Sequence, residues 1–279
     1  FITFNDNCNF GLKNIDFKID NTFSYNNCCI FINNCYFHMS YCRLFCNLSK
    51  CINSIKSNVY IGNTIFSGRR IINGYKSNLY IIQNDFIDTD EAIYTDSCIN
   101  YLKLNFLKNI SKNAFSCYKG KSYIINNIIN NSKKNGIKLI EQRDCILKFN
   151  KIKNSSKNGI YIIENNNTEI LDNNILSNER CGIRIFNIHK DGKLNIINNH
   201  ISFNVSNGIF SLGCNINIFN NHIYHNLNSG IYGIGISSKM DYNYIKNDGS
   251  PCIYLKKSSF TLNDNKLLIN NYDNEVIIN

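Results

Sequence analysis

The 279-residue chain has no tryptophan, one proline and two methionines. With Pro251 alone and no low-complexity tract, nothing marks a linker, so a single domain over 1–279 is expected. No run of 18 apolar residues exists, which excludes a membrane-spanning helix, and no charged-then-apolar leader is read ahead of the repeats. P-loop, dinucleotide-fingerprint and nucleophile motifs are all missing, which removes the common nucleotide and acyl-transfer chemistries. Acidic residues are outnumbered, 20 against 30 Lys and Arg, and the net charge of +10 favours an anionic partner. C-x-x-C pairs are also missing. A zinc set drawn from Cys35, His38, Cys42, Cys46 and Cys51 is therefore set aside in favour of buried or idle thiols, and no metal site is assigned.

What is present in excess is Asn, Ile, Lys, Tyr and cysteine. Thirteen Cys, an odd and scattered set, do not form a disulfide framework. Mostly reduced thiols imply an intracellular, cytoplasmic setting. Cys117 sits two places after Phe115, in phase with Leu139, Ile162 and Ile185, as a small core residue. Codons rich in A and T would enrich Asn and Ile under any fold, so only Asn at fixed phase carries weight.

Such a phase exists. Gly-Ile recurs at Gly136, Gly159, Gly182, Gly208 and Gly230, spaced by 23, 23, 26 and 22. Each repeat holds a corner Asn, with an apolar residue two places on: Asn126 with Ile128, Asn150 with Ile152, Asn173 with Ile175, Asn199 with Ile201, Asn221 with Ile223. The series extends through Asn105, Asn84 and Asn63 upstream, and through Asn243 and Asn265 downstream. Asn34 with Tyr36 reads as a further coil, and Asn14 is held only loosely because its alternation is out of phase. Two-residue alternation within a period near 22 means short strands joined by bends. The fold expected is all-β, a right-handed parallel β-helix of about twelve coils of 21–26 residues. By strand spacing it is a rod of roughly 50–60 Å. The corner Asn is expected to take the left-handed bend and to stack its amide along the axis, and the Gly before each Ile to need positive φ. Residues 39–57 read as an insertion loop or distorted coil. The chain opens at Phe1 without capping helices, so it reads as a piece of a longer chain, or one whose ends a flanking domain or partner covers.

Coil alignment converts sequence into columns. Seven places after the corner stand Arg70, Glu91, Lys112, Lys133, Lys157 and Arg180, with Arg69 beneath Asp90. After each Gly-Ile isoleucine an outward column reads Tyr94, Ser116, Lys138, Tyr161, Arg184, Phe210, Tyr232 and Tyr254. The basic column is either a solvated bend or a track for an anion. The aromatic column either packs against itself or stacks sugars, bases or a peptide. Together they make the best binding candidate: a protein or acidic glycan is the expected partner, nucleic acid less so, and no membrane. For catalysis the only cluster is Asp88, Asp90 and Glu91 beside Arg69 and Arg70, which is more simply an ion-pair patch. His200 and His222 share a column with His225 nearby, and no carboxylate lies in phase with them.

The N-x-I-x-x-N…N-G-I-x-I unit, as in Asn173–Ile185 and Asn221–Ile231, resembles the parallel β-helix repeats of the pectin-lyase-like superfamily over about residues 30–270. That resemblance implies one of several activities: polysaccharide lyases, hydrolases and epimerases, adhesins, or intracellular F-box-associated recognition domains. Lyase members use Asp-held Ca²⁺ with an Arg or Lys base, which only the Asp88–Glu91 and Arg69–Arg70 patch echoes. The paired Asp tripeptides of the hydrolases are not found. The expected function is thus non-catalytic recognition of the F-box-associated type, without a cofactor. Alternatives are a lyase- or epimerase-type enzyme, with Ca²⁺ as its cofactor, and a structural or adhesin-like rod.

Overall fold

A computed structural model describes residues 2–19, 28–187, 192–247, 250–269 and 276–279. Among these residues the regular elements are all strands. They pair in parallel, coil on coil, as a right-handed solenoid of about 11 turns. Each turn contributes three faces. On face one, Ile160–Ile163 lies between Ile137–Lys148 and Ile183–Phe186. On face two, Asn167–Leu171 is flanked by Ile137–Lys148 and Leu194–Ile197. On face three, Asn174–Leu176 is flanked by Lys151–Lys153 and His200–Ser202.

Alternation within these short strands builds the interior. The first inward column of face one runs Ile93, Phe115, Ile137, Ile160, Ile183, Ile209, Ile231 and Ile253, each fully buried. Cys117 occupies the next inward column in register with Leu139. On face three Phe66, Phe86, Leu107, Ile129 and Ile152 stack in register, and the Phe66 and Phe86 rings lie 5.0 Å apart. Burying each such side chain contributes about 1.5–3 kcal/mol.

The asparagine ladder runs along the corner between faces two and three. It passes through Asn84, Asn105, Asn127, Asn150, Asn173, Asn199, Asn221, Asn243 and Asn265, each donating from Nδ2 to the next Oδ1 at 2.9–3.1 Å. Two expected members are corrected. Asn126 and Asn63 stand one place early, and Asn127 and Thr64 hold their places; Thr64 N–H donates to Asn84 Oδ1 at 3.0 Å. Consequently Ile129 is buried and Ile128 is 43% exposed. The left-handed residue is also the one before the ladder position: Asn63, Gln83, Leu104, Asn126 and Phe149 have φ of 51–58°. Its type varies because only the following amide has to reach the next coil.

Asn34, with φ 53°, belongs to a different corner, between faces one and two, where Cys35 N–H donates to Ser57 Oγ at 3.1 Å. Asn14, with φ 56°, is on the ladder corner. Within 39–57 the chain forms the strand Arg43–Ile55, whose pairing shifts register between Cys46 and Lys50. The Gly-Ile glycines do not have positive φ. Gly159 is required by space: a Cβ there would sit 2.6 Å from Ile175 Cγ2 and 2.8 Å from the Gly182 carbonyl.

Candidate functional site

Face one presents the predicted outward column intact, since Tyr94, Ser116, Lys138, Tyr161, Arg184, Phe210, Tyr232 and Tyr254 pair successively. Its chemistry differs from a row of free ring faces. Phe210 and Tyr232 stack at 5.5 Å, and Tyr232 and Tyr254 at 4.8 Å, both within 6° of parallel. Ring faces are thus spent on each other, leaving edges and hydroxyls toward solvent. Arg184 Cζ lies 4.9 Å from the Phe186 centroid and 5.0 Å from that of Phe210, and its Nε is buried without a hydrogen-bond partner. The aromatic rings hold the guanidinium by cation–π contact, and among the described residues no carboxylate pairs with it. Lys138 Nζ donates to Tyr118 Oη at 2.7 Å and lies 5.0 Å from that ring's centroid. Ser116 is buried and contributes nothing to the surface. Burial, then the neighbouring Tyr118, pushes the Tyr94 phenol upward, which keeps it neutral.

The basic column lies on the corner leading into face one. Lys134 N–H donates to the Lys112 carbonyl at 3.2 Å, Lys157 to Lys134 at 3.0 Å, and Arg180 to Lys157 at 3.1 Å. Lys134 therefore takes the place expected of Lys133, which lies one residue earlier, because Asn127 and not Asn126 holds the ladder position. Cations with carboxylate partners lie mainly elsewhere. Lys119–Glu141, Lys121–Asp144, Lys148–Asp172 and Lys239–Asp241 are on face two or its edges. Among the described residues, Lys112, Lys134, Lys138, Lys157, Arg180 and Arg184 form no ion pair. Other described cations, among them Lys103, Lys108, Lys151 and Lys153, are likewise without ion pairs, so what sets this corner apart is that Lys112, Lys134, Lys157 and Arg180 follow one another in successive coils.

The acidic cluster separates in space. Glu91, 5% exposed, accepts from Arg70 Nε at 3.1 Å and from Ser116 Oγ at 2.7 Å, and the Arg70 guanidinium lies 4.7 Å from the Tyr94 centroid. Asp88 instead accepts from Asn109 Nδ2 at 2.9 Å on an exposed bend. Arg69 is exposed and Asp90 half-buried. Arg70 is committed to Glu91, and the trio does not converge. His200 and His222 are in register on face three; His200 contacts the Tyr224 hydroxyl, and His225 stacks on Phe203 at 5.2 Å.

One array escaped the sequence reading. On face two Tyr60, Tyr80, Tyr101 and Tyr123 stack at 4.4, 4.7 and 4.9 Å within 7° of parallel. Their 20-to-22-residue spacing and shared x-Tyr-apolar context were the available signal.

Residues 47–207 match the model of the periplasmic copper-binding protein (NosD) family, and residues 141–278 that of the right-handed beta helix region. The chain belongs to the NosD family. No curated protein matches it. Among solved structures the periplasmic alginate epimerase AlgG is similar at a TM-score of 0.68 and 15% identity, over 87% of this chain and 71% of that one. The A-module of the Azotobacter vinelandii mannuronan C-5 epimerase AlgE6 gives 0.52 at 11% identity, over 90% and 83%. The Dettilon tailspike protein gives 0.51 at 13%, over 88% and 57%. At these identities the likeness is one of fold.

The matches correct the expected cytoplasmic location, because the family and the epimerase AlgG are both described as periplasmic. The thiol argument behind that expectation fails for a physical reason. Eleven of the thirteen cysteines are buried, Cys8 and Cys28 being the exceptions, so their reduced state reflects packing and not compartment. Copper, named in the family description, has no preformed seat among the described residues. No group of three or more His, Cys, Asp or Glu is placed to hold a metal ion, and Met39 and Met240 lie in the core. Of Cys35, His38, Cys42, Cys46 and Cys51, only Cys46 and Cys51 come together, within hydrogen-bonding reach of Cys29; Cys35 and Cys42 are buried at different corners and His38 points outward from face two.

Proposed function

We propose that the protein binds an acidic glycan along face one and its leading corner. The observation that carries this reading is the alignment of charge: Lys112, Lys134, Lys157 and Arg180 follow one another in successive coils beside Lys138 and Arg184 on the face, and among the described residues none of the six is in an ion pair. Parallel coils about 4.8 Å apart turn these into a line of regularly spaced cations. A polyanion laid along the axis meets one cation per coil at the corner, and tyrosine hydroxyls on the face supply donors to sugar oxygens. Recognition without turnover accounts for Arg70 being held by Glu91, unable to serve a substrate. That the named neighbours include alginate-acting enzymes and a phage tailspike is consistent with a glycan partner.

The test is retention on immobilised polyuronate against a neutral polysaccharide, with rising salt. Lys138→Glu with Arg184→Glu is expected to weaken polyuronate binding by about tenfold or more and to flatten its salt dependence. Tyr60→Ser, on face two, is expected to leave binding unchanged. Wild-type retention of the doubly reversed variant sinks the proposal, and release of an unsaturated or epimerised product turns it into an enzyme.

A further inference from the structure

We infer a second, separate site for a single acidic sugar residue, in a groove at the corner between faces one and two. The groove encloses about 430 Å³ and is lined by Ser97, Ile99, Lys119, Lys121, Glu141 and Arg143, with Cys98 and Gly120 at its base. Its origin is a bulge. Strands Phe115–Ile125 and Ile137–Lys148 pair Gly120 with Gln142 and then Lys121 with Asp144, so Arg143 is the extra residue and is turned out of the ladder. Gly120 has φ +103°, and a Cβ there would come within 2.1 Å of the Cys98 carbonyl, so the base has to be bare backbone. The volume falls within the range of small-molecule sites.

The lining has the polarity of a sugar acid. Two of the three cations are already engaged: Lys121 Nζ lies 2.7 Å from Asp144 Oδ2, and Lys119 Nζ 3.8 Å from Glu141 Oε2. Arg143 is exposed and has no hydrogen bond or ion pair among the described residues, so its fork of donors is available to a carboxylate. Glu141 can accept from sugar hydroxyls, which sulfate lacks. Ile99, 36% exposed, offers an apolar patch for the face of a pyranose. The Cys98 thiol beneath is pushed up to about 12 by burial and stays neutral, so it adds no opposing charge. The site is independent of face one, and its failure would leave that reading untouched.

The experiment is an NMR titration of the whole chain with sodium glucuronate, and separately with glucose and with sulfate. Glucuronate is expected to produce saturable shifts at the amides of Ser97, Ile99 and Gly120. Arg143→Ala is expected to raise the dissociation constant at least about tenfold, the scale of one charge-assisted contact. Lys157→Glu with Arg180→Glu, which disables the face-one corner, is expected to leave this titration unchanged. Shifts produced equally by glucose or by sulfate overturn the inference, as does an Arg143→Ala variant that titrates like wild type.

Discussion

Asn150 donates from Nδ2 to Asn173 Oδ1 at 2.9 Å and to the Ile124 carbonyl at 2.7 Å, while its own Oδ1 accepts both the backbone and side-chain N–H of Asn127 at 3.0 Å. One amide thus satisfies groups in two neighbouring coils, 23 residues away in each direction. Asn150→Ala would strand the Asn127 backbone N–H and the Ile124 carbonyl in the interior, while Asn127 Nδ2 keeps the Leu102 and Ile125 carbonyls. At about 1–3 kcal/mol for each unsatisfied buried group, a loss of about 3 kcal/mol or more is expected. The shift of the urea unfolding midpoint measures it, and Asn150→Asp should be at least as damaging because it removes both donors and buries a charge. A neutral Asn150→Ala would mean that the ladder is ornamental.

The Gly-Ile motif is a steric requirement of the same stack. At Gly182 a Cβ would lie 2.6 Å from Ile201 Cγ2 and 2.8 Å from the Gly208 carbonyl. Gly182→Ala is therefore expected to destabilise by about 1–3 kcal/mol through overpacking, against the usual helpful effect of replacing glycine. Gly235→Ala, where φ is +57° but nothing lies within 4 Å, isolates backbone strain from contact and should cost less. Equal losses at both sites would show that space is not what fixes Gly182.

The coil and its columns were legible because strand alternation and a period near 22 leave few alternatives. Phase was legible only where neighbours differ in kind. At Asn126-Asn127-Ile128-Ile129 both amides and both isoleucines fit the pattern, so one-residue slips cannot be told apart, and the error passed to Lys133. The Asn34 misplacement arose because two corners share left-handed Asn. Which cations keep free charge was not legible at all: it depends on Lys121 meeting Asp144 across a bulge that the sequence does not announce. The tyrosine stack was visible in the spacing of Tyr60, Tyr80, Tyr101 and Tyr123, yet it lies on a face that the Gly-Ile motif does not index.

Burial predicts how the thiols behave. Desolvation raises Cys117 and Cys145, and hydrogen bonds with Cys29 and Cys46, reinforced by burial, raise Cys51. Protonated, enclosed thiols neither attack nor exchange. In native buffer a thiol-reactive disulfide reagent should label no more than Cys8 and Cys28, the two partly exposed cysteines, and all thirteen once urea unfolds the chain. Fast native labelling of Cys117 or Cys145, identified by peptide mapping, would contradict the packing of the interior.

Acid should loosen face three before the rest. Burial, then the positive field of His222, lowers the pKa of His200, so the fold prefers its neutral ring. The unfolded chain then binds the extra proton between the depressed folded value and the ordinary one near 6.5. Stability contributed by the neutral ring is complete above that window and is lost as pH falls through it. The contact of His200 with the Tyr224 hydroxyl, and the stacking of His222 on Tyr244 at 5.7 Å, place aromatic surface where the charged ring would have to be accommodated. Urea midpoints measured from about pH 8 down to about pH 5 should therefore fall less steeply in His200→Gln than in wild type. His222→Gln, by removing the repelling neighbour, should bring the folded value of His200 closer to the ordinary one and so make the fall smaller than in wild type. Parallel curves for all three proteins would mean that protonation of His200 is not resisted by the fold, and that the cluster is no more than surface packing.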